Sequence, residues 1–61
     1  MDNTRVYLPE DFLGLSPETQ EVVLSGVRED ARQKMNQEGT RNAAILLLEE
    51  DGVTLWEVVT A

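Results

Sequence analysis

The sequence predicts a mostly α fold with short flanking β segments: a long or broken helix over about 17–51, then a C-terminal strand over about 53–59. Three observations predict it. Ser16-Pro17-Glu18 has the chemistry of a helix start, and apolar residues recur at helical spacing from Val23 to Met35. After Gly52 the run Val53-Thr54-Leu55-Trp56-Glu57-Val58-Val59 becomes β-branched and suits a strand.

Arg5-Val6-Tyr7-Leu8 reads as a short extended run, with Val6 and Leu8 on one side and Tyr7 on the other. Pro9 ends it and biases Leu8 toward extended backbone. Glu10–Leu15 follows as a turn or single helical turn, with Phe12, Leu13 and Leu15 directed inward.

Ser16 can accept from exposed backbone N–H groups as N-cap, and Pro17 at the first helical position has no donor to lose. Glu18 places negative charge where the helix dipole favours it. Thr19 stands where a capping box wants Glu or Gln. Val23, Leu24, Val27, Ala31 and Met35 then form one apolar stripe. Asp30 and Lys34 make an acid-first i,i+4 pair, worth about 0.2–0.5 kcal/mol. Gly26 weakens the interior by about 1 kcal/mol relative to Ala, which suggests close contact with a neighbour.

Gly39 leaves two arrangements open. It can cap a first helix near Glu38, with Thr40 starting a second, or it can sit as a weak point in one helix from Pro17 to about Asp51. Ala43-Ala44-Ile45-Leu46-Leu47-Leu48 is apolar on every side, so as a helix it implies burial on more than one face. Gly52 then supplies the left-handed position after Glu49-Glu50-Asp51. In the strand beyond it, Val53 and Leu55 face one way and Thr54, Trp56 and Val58 the other. Such two-sided apolarity places the strand inside a sheet, away from its edge.

Sixty-one residues make a single small domain, 1–61, or a fragment of a larger one. A chain of this size buries only about 60% of its unfolded surface. With no Cys and no His, disulfides and the usual zinc sets are excluded, so a partner surface is the remaining source of extra burial. The expectation is therefore another protein chain or self-association, through the apolar side chains Val23, Val27, Ile45, Leu47, Leu48 and Trp56. The net charge of −7 disfavours nucleic acid and anionic membranes. No apolar stretch approaches the ~20 residues of a membrane span, and the first residues lack a signal-peptide pattern. The expected location is cytoplasmic, or periplasmic if the chain belongs to a longer exported protein.

The candidate chemical sites are weak. Glu49-Glu50-Asp51 lacks the alternating ligands of a calcium loop and reads as a solvated helix end. Glu10-Asp11 and Glu29-Asp30 are adjacent pairs that do not face each other on a helix. Arg28 and Arg32 could clamp a carboxylate, but a surface lattice with Glu29 is the simpler role. No catalytic residue, cofactor or metal ligand is assigned, and the expected protein is not an enzyme.

Phe12, Leu15, Ser16, Glu18 and Gln20, followed by Leu47, Leu48, Gly52, Val53 and Leu55, resemble the carboxy-terminal part of the solute-binding proteins of TRAP (tripartite ATP-independent periplasmic) transporters. The resemblance covers about two thirds of the chain. It implies a non-catalytic helical module without the ligand-binding residues of that family, whose substrate-carboxylate arginine lies in segments absent here. A small-molecule ligand is not expected for this chain alone.

Two other classes stand beside it. One is a small acidic interaction or inhibitor protein, phage-like and able to mimic nucleic acid. The other is a ribbon-helix-helix DNA-binding dimer, suggested by the strand-then-helix order of Thr4-Arg5-Val6-Tyr7-Leu8-Pro9-Glu10. The −7 charge and the single base Arg5 on that strand count against it.

Overall fold

Backbone chemistry at Ser16 and Gly39 sets the limits of the one long helix. In the computed structural model, which describes residues 3–60, α1 spans Pro17–Glu38. Ser16 Oγ accepts from the Thr19 N–H at 3.3 Å, and Pro17 occupies the first turn. Gly39 closes the helix at φ 69°, a left-handed position that costs a side-chain-bearing residue but not glycine. Its N–H donates to the Met35 carbonyl.

Around α1 lie β1 (Asn3–Leu8), a short 3₁₀ turn (Phe12–Gly14), β2 (Asn42–Glu49) and β3 (Gly52–Thr60). The strands form one mixed sheet in the order β1-β2-β3, with β1 parallel to β2 and β3 antiparallel to β2. A parallel pair needs a long crossover, and α1 supplies it. The fold is thus α+β, about 43% helical and 40% strand, and not mostly α.

The correction falls on 42–51. The segment expected as helix is the central strand β2, followed by a hairpin turn through Glu50 and Asp51. Thr40 does not start a second helix; two residues later the chain is extended. The all-round apolarity of Ala43–Leu48 arises because a central strand has one face on the helix and a second face of its own. Gly52, at φ 146°, opens β3 and does not cap a helix.

Thr4, Val6 and Leu8 on β1, Ala43, Ile45 and Leu47 on β2, and Val59 on β3 point beneath α1. Ala31 and Met35 meet them from the helix, and Phe12 fills the end of the core with no exposed surface. Val23, Leu24 and Val27 continue the stripe but stay half-buried. Leu13, expected inward, faces solvent. Gly26 faces open space, so it marks no close approach.

Strand β3 departs from simple alternation. Ile45 pairs with Glu57 and Leu46 with Leu55, which leaves Trp56 as an extra residue in a bulge. Trp56 turns toward the helix side and meets Phe12 edge to face. Val53, Leu55 and Val58, which plain alternation divides between two faces, are gathered on the side away from the helix. β3 is also an edge strand and not an interior one.

Candidate interaction surface

The outer face of the sheet is built from alternate residues of all three strands. Arg5 pairs with Ala44 and Tyr7 with Leu46 across β1–β2; Val58, Leu55 and Val53 continue the rows onto β3 opposite Ala44, Leu46 and Leu48. No helix covers them. Tyr7 is 53% exposed, Leu55 55% and Val58 57%. Tyr7, Ala44, Leu46, Val53 and Leu55 border an open trough, with Arg5 and Glu38 at its rim. Apart from Arg5 the outward-facing strand positions named carry no charge, although the chain as a whole carries −7.

Acidic side chains are concentrated elsewhere. Glu18, Glu21, Glu29, Asp30 and Glu38 lie on α1, and Glu49, Glu50 and Asp51 at the β2–β3 hairpin. Glu10, Glu49 and Glu50 surround Leu13 and Leu48 at one corner. The hairpin acids belong to a solvated turn, and Thr54 donates to Glu49 at 3.1 Å. Among the described residues no group of three or more potential metal-ligating side chains converges.

Two polar contacts hold the helix over the inner face. Arg28 donates from Nε to Glu57 Oε1 at 2.5 Å and from Nη2 to Glu57 Oε2 at 3.3 Å. This fork joins α1 to the bulged strand and replaces the expected lattice with Glu29. The hydrogen bond to Glu57, and then its charge, raise the Arg28 pKa above the usual arginine range. Buried Thr4 donates to Glu38 Oε2 at 2.6 Å and shares a 2.7 Å hydrogen bond with Thr40. It thereby fastens β1 to the end of α1. The Asp30–Lys34 pair is present at 3.9 Å.

No protein-family model matches the chain, no curated protein aligns with it significantly, and no solved structure matches it significantly. None of these comparisons supports the resemblance to TRAP solute-binding proteins. The residues that carried it have local structural tasks. Gln20 donates to the carbonyls of Phe12 and Leu15, each at 3.2 Å, and ties the 3₁₀ turn to α1. Leu47 and Leu48 lie within β2, while Gly52 and Val53 open β3; they form a hairpin, not a helix feeding a strand.

The six interface candidates divide. Ile45 and Leu47 are buried beneath α1, and Val23 and Val27 pack half-buried against the same core. Leu48 and Trp56 stay partly exposed, Trp56 on the helix side and Leu48 near the hairpin. Leu48, opposite Val53, is the one candidate on the outer face; Tyr7, Leu46, Val53, Leu55 and Val58, which make up the rest of it, are not singled out by sequence pattern. The available signal was the two-sided apolarity of 43–48 and 53–59. It becomes a surface only once both segments are strands of a sheet covered on one side. No helix among the described residues is long and apolar enough to cross a membrane.

Proposed function

We propose that this chain is a non-catalytic, acidic interaction module that works through the outer face of its sheet. One observation carries the reading: Tyr7, Leu46, Val53, Leu55 and Val58 form a contiguous apolar face in a chain with twelve acids, with Arg5 and Glu38 only at its border. Contiguous exposed apolar surface marks interaction sites more often than scattered apolar residues do. The β3 bulge favours the same reading, because it moves Val53 and Leu55 onto the side that holds Val58. The non-catalytic part rests on composition: the chain has no His or Cys. The ribbon-helix-helix alternative needs a second helix where this chain has β2.

Nitration of Tyr7, the sole tyrosine, tests the reading. In an extract of the source cells, at native abundance, Tyr7 reacts several-fold more slowly than in dilute purified protein. Leu55→Lys removes that protection. Equal reactivity in extract and dilute solution overturns the proposal.

A further inference from the structure

Building on that reading, we propose that the occupant of the outer face is a second copy of this chain, packed sheet to sheet about a two-fold axis. Area is the first argument. The chain exposes 4471 Å². A monomeric protein of 6.8 kDa is expected to expose about 3,950 Å², so the excess is about 500 Å². Three strands about 4.8 Å apart and about 20–30 Å long present a flat footprint of about 300–400 Å², the same order as that excess. If the excess of about 500 Å² is covered on each of two copies, about 1,000 Å² is removed in total, the lower bound for a specific interface.

Charge distribution selects the occupant. The apolar rows hold no carboxylate, and the trough is bordered by one charge of each sign, Arg5 and Glu38, so the face favours neither a basic nor an acidic partner. A copy of the same face brings apolar rows against apolar rows. Glu38 stays at the border of the contact, and the remaining acids of α1 and those of the hairpin turn lie outside it, where solvent and salt screen them. A two-fold axis along β2 lays β1 of each copy over β3 of the other, given the order β1-β2-β3. Tyr7 then meets Leu55, with Val58 one row away, and the two Arg5 side chains lie over Val58 at opposite edges. Two sheets packed at about 10 Å form a sandwich with a helix on each outer surface, which closes the layer this fold leaves open.

Sedimentation velocity on the full chain over a wide concentration range tests the proposal, with circular dichroism confirming the fold of each variant. The wild type sediments at twice the 6.8 kDa chain mass. Leu55→Lys and Val58→Lys, both at exposed positions, weaken dimerisation by at least about tenfold, since each buries a charge twice per symmetric dimer. Val22→Lys, on the exposed side of α1, leaves it unchanged. A dimer indifferent to Leu55→Lys and Val58→Lys overturns the proposal in favour of pairing through the β3 edge or the helix. A wild type that stays monomeric also overturns it. In that case, Tyr7 protection in cell extract preserves the broader interaction reading with a different partner, and loss of protection removes both.

Discussion

The rings of Phe12 and Trp56 meet edge to face, their centroids 5.5 Å apart and their planes at 82°. The contact joins the 3₁₀ turn before α1 to the bulge of β3, segments far apart in sequence. Because Trp56 is the residue without a cross-strand partner, this contact accounts for the direction in which the bulge turns. The same bulge determines which β3 side chains face outward, so packing at Phe12 and composition of the outer face are coupled.

Phe12→Ala is therefore expected to cost about 3–5 kcal/mol, enough to leave so small a domain largely unfolded at 25 °C. Trp56→Leu costs less, because the indole is partly exposed. A double-mutant cycle with Phe12→Leu and Trp56→Leu gives a coupling of about 0.5–1.5 kcal/mol, measured by urea denaturation.

The two glycines of α1 and its cap respond in opposite directions to alanine. Gly26 has helical neighbours and open space around it, so Gly26→Ala stabilises by about 0.5–1 kcal/mol. Gly39 holds φ 69°, and Gly39→Ala destabilises by about 1–2 kcal/mol. Thermal denaturation of both variants checks the pair, and a matched sign places the end of α1 elsewhere.

Gln20→Ala removes both hydrogen bonds to the carbonyls of Phe12 and Leu15 and costs about 1–2 kcal/mol. Gln20→Glu keeps the length but loses the donor, so it is no better than alanine. Hydrogen exchange in Phe12–Gly14 rises in both variants.

Thr4→Val keeps the shape of a buried side chain while removing the hydroxyl shared by Glu38 and Thr40. The expected cost is about 1–2 kcal/mol, with faster amide exchange in the last turn of α1. An unchanged denaturation midpoint contradicts the role assigned to Thr4.

The legible parts of the fold depend on local chemistry. Ser16 and Pro17 announce a helix whatever surrounds them, and the stripe from Val23 to Met35 and the alternation of Val6, Tyr7 and Leu8 are preserved in the structure. Ala43–Leu48 reads as helix from sequence because a continuous apolar run has no periodicity to separate a buried helix from a central strand. Alanine and leucine favour helix, and only Ile45 in that run is β-branched. Long-range pairing with β1 and β3 overrides that preference. The Arg28–Glu57 fork and the bulge at Trp56 depend on the same pairing, so neither had a local signature. The outer face was hidden for this reason: it exists only after three separated segments come together.

The most direct measurement of that face is an isotope-filtered NOE experiment on a mixture of labelled and unlabelled chain, at a concentration where two copies associate. Intermolecular contacts are expected from the methyls of Leu46, Leu55 and Val58 to the Tyr7 ring, and none from Val23 or Val27. Intermolecular contacts arising from α1 or the hairpin, with the outer-face methyls silent, would contradict it.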